Sequence, residues 1–330
     1  MTYGQAVRTA WAPFRADGGM KELIRFATLA ANSHNTQPWT FHIENRAVVI
    51  APDFTRRCPA VDPDDHHLYA SLGCAAENLV HAAAAMGFRA APAFADDSIR
   101  VALEPAAPIV SPLADAIPRR QCTRAQYDGK AVENETLRLL EASGGAADVS
   151  VTLITDRVRI AGVTEYVVQG NTAQMRDKAF MDELKAWMRF NDASATESMD
   201  GLYAPASGNP ALPPWLARML LPFVFTERAE NDKYKAHIAS SAGIAVFTAA
   251  RNDKAHWVAA GRACQRFALQ ATALGLKYAF INQPVEVPSL REQFASWLGL
   301  GGRRPDLVVR FGAGPDLPRS LRRPVDRILA

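Results

Sequence analysis

An α+β fold made of two copies of one unit is what the sequence predicts, on three observations. Between Met20 and Ala31, the apolar residues Leu23, Ile24, Phe26, Ala27 and Ala30 recur near 3.6-residue spacing, which predicts a helix. Trp39 to Ile43 and Ala47 to Ile50 then read as two strands joined by a turn at Glu44-Asn45-Arg46. Placing Gly73 over Gly261 pairs Ala75 with Ala263, Leu79 with Phe267, Ala83 with Ala271, Ala85 with Ala273, Met86 with Leu274 and Gly87 with Gly275. A strand follows each of these helices, Ile99 to Leu103 in the first half and Leu307 to Phe311 in the second, so the order of elements repeats as well. A weaker echo sets Leu137 to Ser143 against the Met20 helix. The boundary falls near Pro118, which divides the chain into a unit at 1–118 and a unit at 119–330.

The elements follow in order. Residues 1–19 form a short amphipathic piece ending at Gly18-Gly19. Asn32 and Ser33 stop the Met20 helix, and Pro38 keeps Gln37 out of helical geometry. A polar link from Pro52 to Pro63 leads to Asp62, Asp64 and Asp65, whose carboxylates suit the positive end of the helix from Leu68 to Met86. Small residues along that helix, Gly73 to Ala76 and Ala82 to Ala85, allow close approach by a neighbour, and Gly87 closes it. A Pro/Ala-rich link runs from Pro105 to Pro118. In the second unit an insertion at about 155–243 separates the strand Val149 to Ile154 from the strand Ile244 to Thr248, far longer than an ordinary connection. Helices are expected there from Thr164 to Arg176 and from Met181 to Phe190, and the Gly/Pro loop with aromatics from Asp200 to Trp215 suits a lid.

Composition excludes several classes. The chain has 330 residues, 48% hydrophobic and 22% charged, which is globular rather than disordered. A net charge of +3, with basic residues scattered except near the C-terminus, argues against nucleic acid as a partner. Cys58, Cys74, Cys122 and Cys264 lie far apart without a C-x-x-C pair, so neither a zinc knuckle nor a disulfide framework is expected. Met1 to Trp11 lacks the apolar core of a signal peptide, and no run approaches the roughly 18 apolar residues of a membrane span, so a cytoplasmic protein without membrane partners is expected.

Ser33-His34-Asn35-Thr36-Gln37-Pro38-Trp39 gathers a hydroxyl, an imidazole and two carboxamides on a connection between helix and strand, which is the composition of a ligand grip. Asp62, Asp64, Asp65, His66 and His67 carry metal-ligand chemistry. Adjacent histidines at a helix start are expected to face apart, however, and the carboxylates have a capping explanation, so no metal site is expected. His256 reads as a helix-start residue. No G-x-S-x-G elbow and no G-x-G-x-x-G after a strand is present, which disfavours an α/β-hydrolase and a Rossmann domain.

Four segments carry a resemblance: Leu29 to Trp39, the Gly73 to Leu79 helix with its Ala-Glu-Asn-Leu run, Arg119-Arg120 through Arg124, and the ending Leu317 to Val325. Together they resemble the nitroreductase-like FMN flavoproteins, and within them the Acg-type branch, in which two nitroreductase units are fused in tandem. The resemblance implies an intramolecular pseudo-dimer holding one FMN between its halves. Ser33, His34, Asn35 and Gln37 would meet the ribityl chain and ring edge. Arg120 and Arg124, with Arg319, Arg322 and Arg323 from the tail, would hold the phosphate, and Phe280, Asn282 and Gln283 would lie against the ring. Cys122 departs from the family, which has a hydroxyl or small polar residue there. Ser143-Gly144-Gly145-Ala146 stands where the first copy has Ser33-His34-Asn35-Thr36, so the second, symmetry-related site is expected to be lost. The activity implied is hydride transfer from transiently docked NAD(P)H through FMN to a small electron-poor acceptor such as a nitroaromatic or quinone. No catalytic side chain is implied, because the flavin carries the chemistry. Flavin storage under a closed lid is the non-enzymatic alternative.

Overall fold

A computed structural model describes residues 1–15 and 17–330. The chain runs through α1 (Tyr3–Ala10), α2 (Gly19–Thr28), β1 (Trp39–Glu44), β2 (Ala47–Pro52), α3 (His66–Ala85), β3 (Phe88–Ala95) and β4 (Ser98–Pro105). A short α4 (Pro112–Ala116) leads to α5 (Asn134–Gly144) and β5 (Val149–Ile154). Next come α6 (Arg157–Arg176), α7 (Lys178–Trp187), β6 (Met188–Arg189), α8 (Asp192–Ser198), β7 (Leu202–Tyr203), α9 (Pro214–Val224) and α10 (Glu227–Ala239). The chain returns through β8 (Gly243–Ala249), α11 (Lys254–Ala273), β9 (Lys277–Phe280), α12 (Gln283–Glu286), α13 (Pro288–Leu298) and β10 (Leu307–Gly312). This mixed helix and sheet content is α+β.

Two four-stranded antiparallel sheets form, in the orders β1-β2-β4-β3 and β5-β8-β10-β9. Matched by place in the chain, β1 corresponds to β5, β2 to β8, β4 to β10 and β3 to β9, so the two orders are the same. The edge strands β3 and β9 are absent from the sequence reading. β3 alternates half-buried and exposed residues around Pro92, a residue tolerated at a sheet edge, and β9 is only four residues long. β3 lacks the burial of a central strand, and the apolar residues of β9 are too few to mark a strand by themselves.

Helices α3 and α11 pack on one another between the sheets. A Cβ on Gly73 would run into the backbone of Val258, and one on Gly261 into the backbone of Ala70. The two helices therefore touch backbone to backbone. Each also enters the other's core: Trp257, Val258 and Leu269 of α11 pack with Leu23, Phe26 and Ile50, and Ala70 of α3 packs with Phe247 and Phe267.

The region between β5 and β8 is largely helical. α6 begins at Arg157, where the Asp156 carboxylate accepts the Arg159 N–H at 2.9 Å, earlier than expected. Instead of an irregular loop, the segment after Asp200 contains β7, parallel to β6, and a 3-10 turn over Ala204–Ser207. Among the described residues, no helix is long and apolar enough to cross a membrane.

Candidate functional site

After α2 the chain makes a 3-10 turn at Ser33–Asn35 and enters β1 through Pro38. Three of the four residues from His34 to Gln37 hold left-handed backbone, with φ of 47° at His34, 53° at Asn35 and 54° at Gln37. Such geometry costs roughly 1–3 kcal/mol at a non-glycine residue, least at Asn, so surrounding contacts must impose it. Asn32 Oδ1 accepts the Gln37 N–H at 2.9 Å, and the Thr36 N–H donates to Ser33 O at 2.9 Å. Asn35 Nδ2 donates to Gly201 O at 3.0 Å and Leu321 O at 3.2 Å, while its Oδ1 accepts from Arg322 Nη1 at 2.7 Å. Gln37 Nε2 donates to Met199 O at 2.9 Å, and Gln37 Oε1 accepts the Arg323 N–H at 2.8 Å. The strained turn thus joins the segment 199–201 to the C-terminal tail.

Beside it lie two adjoining cavities. One is walled by Ser33, His34, His67, Phe280, Asn282 and Gln283, with apolar cover from Phe180, Leu184 and Met188 of the insertion. The other is walled by Trp11, Asn35, Arg120, Cys122, Arg319 and Arg322. Ala31, Asn32, Arg124, Leu202 and Phe280 line both, so the two meet as one cleft with a broad end and an arginine end. Gln37 and Arg323 line neither: Gln37 is fully buried behind the turn, and Arg323 reaches Asp53 at 3.5 Å and Trp39 O at 3.3 Å. The other ten residues singled out from the sequence are brought to the cleft wall.

Arginine charge accumulates at the narrow end. Among the described residues, none of Arg120, Arg124, Arg319 and Arg322 has a carboxylate oxygen within 4.0 Å. Arg120 donates to Tyr278 Oη at 2.5 Å and Leu29 O at 2.7 Å, leaving its buried Nε without a partner. Arg319 and Arg322 lie over the Trp11 ring, at 4.6 and 5.0 Å from its centre. Burial, and then the Arg120 charge, push Arg322 down to about 9, so it remains a cation at neutral pH in an environment that disfavours one. The arrangement calls for an anion. At the broad end, burial followed by the charges of Arg124 and His67 pushes His34 down to about 4, leaving a neutral imidazole at pH 7. Gln283 Oε1 is buried and unpartnered there.

The insertion covers the broad end. Leu202, Ala204, Ser207 and Asn209 line it, and Ser207 Oγ lies 3.4 Å from Arg124 Nη1. Gly170 lets α6 cross Gln283, since a Cβ there would stand 2.7 Å from the Gln283 Cβ. Asp200 binds Arg56 and Arg189, and Arg56 Nε donates to Thr36 O at 2.5 Å, so the base of this cover is fastened to the strained turn.

Trp11 at the arginine end carried no sequence signal, because the amphipathic piece at 1–19 has no counterpart in the repeat. His67, at the broad end, corrects an expectation. The rings of His66 and His67 do not face apart: their centres lie 4.8 Å from one another. Side chains in the first helical turn lean towards the N-terminus, so both rings hang over the helix start, beside Asp62. The capping explanation for Asp62 does hold, with His67 N–H at 3.0 Å and Leu68 N–H at 2.9 Å.

No family model matches the chain. Among curated proteins it is 25% identical over 328 residues to "Putative NAD(P)H nitroreductase Rv3131" of Mycobacterium tuberculosis, covering 94% of this chain and 90% of that one. It is 24% identical over 337 residues to "Putative NAD(P)H nitroreductase acg" of the same organism, covering 94% of each. Among solved structures, the FMN-dependent nitroreductase NfnB from Mycobacterium smegmatis in complex with NADPH is 15% identical, with a TM-score of 0.45 over 65% of this chain and 95% of that one.

Proposed function

We propose, from a chain similar along 94% of its length to proteins named NAD(P)H nitroreductases, the acg protein among them, that it is an FMN-dependent NAD(P)H oxidoreductase with one flavin per chain. The observation that carries this reading is the arginine end of the cleft. Four guanidinium groups without carboxylate partners among the described residues, one with a buried Nε that has no partner among them, fit a phosphate dianion, and the broad, partly apolar end leading away from them fits a planar ring. FMN, when bound, would supply two-electron chemistry suited to hydride transfer between NAD(P)H and an electron-poor acceptor such as a nitroaromatic or quinone.

The chain's own residues bind and orient. Arg120, Arg124, Arg319 and Arg322 would hold the phosphate; Ser33, His34 and Asn35 would border the sugar and ring edge; and Phe280, Asn282 and Gln283 would wall the ring. A neutral His34 is a positioning hydrogen-bond partner, and no side chain is assigned a catalytic proton transfer. Phe180, Leu184 and Met188 limit water at the broad end.

The same reading takes the chain as two fused copies, 1–118 and 119–330, with 155–243 inserted in the second, so that the copies form an intramolecular pseudo-dimer. The matching sheet orders and the reciprocal contacts of Gly73 and Gly261 support it, because in a two-fold arrangement residue i of one copy meets j of the other and j meets i. Shifting Gly73 onto Gly261 shifts Ala70 onto Val258, which are the two backbone partners.

Flavin storage is the second reading, and the fastening of Asp200 and Gly201 to the strained turn favours it. Anaerobic stopped-flow mixing with NADH or NADPH separates the two. Bleaching of the visible flavin absorbance is expected of the oxidoreductase; flavin-bearing protein that does not bleach is the storage form; and protein that stays colourless with added FMN defeats both.

A further inference from the structure

We infer that Asp62, His66 and His67 form a binding site for a divalent transition-metal ion of the zinc class, at the start of α3 and beside the cleft. One carboxylate oxygen of Asp62 and one ring nitrogen of each histidine all lie within 4.8 Å of one another, and all three residues are buried. Zinc bonds of about 2.0–2.1 Å place tetrahedral ligand atoms about 3.4 Å apart, so closure needs side-chain movement on the order of an ångström.

The hydrogen bonding behind the rings is the second observation. His66 Nε2 lies 2.8 Å from Asp306 Oδ1, while the Asp306 Oδ2 atom accepts the Ala249 N–H at 2.6 Å. With Nε2–H donated to Asp306, the other nitrogen of His66 carries a lone pair, and that Nδ1 is buried without a partner among the described residues. At His67 the carboxylate stands farther off, beyond hydrogen-bond reach. The ring Nδ1 faces Glu286 Oε1 at 3.8 Å, Glu286 Oε2 accepts from Gln174 Nε2 at 2.6 Å, and His67 Nε2 is buried without a partner among the described residues. His66 thus has a hydrogen-bonded carboxylate behind one nitrogen, which is how metal-bound histidines are oriented and made more basic, and His67 has a carboxylate close enough to take that place after a small shift. A buried ring nitrogen left unmatched is unfavourable, and an ion would relieve it.

Asp62 has capacity to join. Each of its oxygens accepts a single backbone N–H, leaving a further lone pair, and ligating carboxylates are ordinarily hydrogen-bonded in this way. Arg304, whose charge bears on all three residues, is paired with Asp64 at 2.6 Å. Two imidazoles and one carboxylate suit zinc-like ions over magnesium or calcium. Three protein ligands leave the fourth position open, and His67 also lines the cleft, which offers a route in. A second group, His34, Cys58 and Glu183, has similar spacing, but burial holds the Cys58 thiol well above its usual range, which disfavours the thiolate that binds a metal.

The site stands independently of the flavin reading. Full-length protein as purified is dialysed against a chelator and titrated with zinc chloride by calorimetry, with flavin content read from the visible spectrum of the same samples. One equivalent is expected to bind. Glu286→Gln is expected to weaken binding by about 10–100-fold, as loss of an outer partner does, and His67→Gln by more. Cys58→Ser is expected to leave it unchanged. Circular dichroism melts establish that each variant is folded. X-ray absorption at the zinc edge on the wild type, which needs no variant, should report imidazole and oxygen ligands without sulfur. No stoichiometric binding, binding indifferent to His67→Gln, or sulfur in the ligand shell overturns the assignment.

Discussion

Gly73 and Gly261 hold equivalent places on two helices, and each presses against the other helix's backbone, at Val258 and Ala70 respectively. Neither site has room for a methyl group, and the obstacle is main chain, which cannot swing aside. Gly73→Ala and Gly261→Ala are each expected to destabilise the fold by at least about 1–3 kcal/mol, the usual cost of overpacking. Once one methyl has pushed the helices apart the second meets less resistance, so the double variant should lose less than the sum. Urea denaturation of the three variants measures this. Wild-type midpoints would mean that the helices do not pack this closely.

The cleft predicts a division among the arginines. Arg124 is the clean test, because among the described residues its side chain bonds only Ser207 Oγ, at 3.4 Å. Arg124→Ala and Arg319→Ala are expected to weaken FMN binding by about 10–150-fold, the equivalent of one charge-assisted hydrogen bond of about 1.5–3 kcal/mol. Arg120→Ala and Arg322→Ala should lower FMN retention at least as much, with some added instability, since Arg322 also binds Thr28 O and Ala30 O. Arg323→Ala should keep its flavin, because Arg323 faces Asp53. Fluorescence titration of apoprotein with FMN ranks the variants. Equal loss for Arg323 and Arg124 would remove the distinction between cleft and tail.

What was legible in the sequence follows its physics. Central strands such as β8, buried along its whole length, and the helices α3 and α11 carry continuous apolar or small-residue patterns, so their positions could be read from residue types. The edge strand β3 could not, because an edge needs little burial, and β9, although Tyr278 and Ala279 are buried, is only four residues long. The turn at Ser33 was legible as polar chemistry but not as strain: nothing in Ser-His-Asn-Thr-Gln encodes three left-handed residues, which the tail and the segment 199–201 impose from far along the chain. For the same reason Gln37 read as a ligand contact although its carboxamide is committed to Met199 and Arg323. His66 and His67 show the reverse error, since helical spacing describes Cα directions and not where two long side chains converge.

The fastening of the cover can be loosened at one residue. Asp200 neutralises both Arg56 and Arg189, and Arg56 also binds Thr36 O. Asp200→Ala leaves two half-buried guanidinium groups without their carboxylate, at a cost of about 1–3 kcal/mol confined to this junction. Hydrogen exchange at the Gly201 amide, which donates to Asn35 O at 3.1 Å, is expected to quicken while exchange in α3 stays slow. If flavin is held beneath this cover, its dissociation rate should rise in the same variant. Unchanged exchange at Gly201 would show that Asp200 does not hold the cover down.

Glu77 on α3 ties the central helices together by charge. Its carboxylate is 3.0 Å from Arg262 and 2.7 Å from Arg266, both on α11, and 3.3 Å from His81. Burial alone would raise Glu77, but His81, Arg266 and Arg262 outweigh it and hold the group down to about 2, against an ordinary value of 4.5. Because the folded value lies below the unfolded one, the resulting stability is fully present above about pH 4.5 and is lost as the pH falls towards 2. A displacement of that size corresponds to about 3 kcal/mol. Asp306 and Asp62, raised by burial to about 7 and about 6, act in the opposite sense over part of the same range, so the wild-type curve by itself mixes the effects. The difference between wild type and Glu77→Gln separates them, because the Asp contributions are common to both. That difference, from urea denaturation, should be about 3 kcal/mol at pH 7, unchanged at pH 5, and should shrink steadily between pH 4.5 and pH 2. A difference that stays constant across the acid range would mean that Glu77 acts by packing and not by charge.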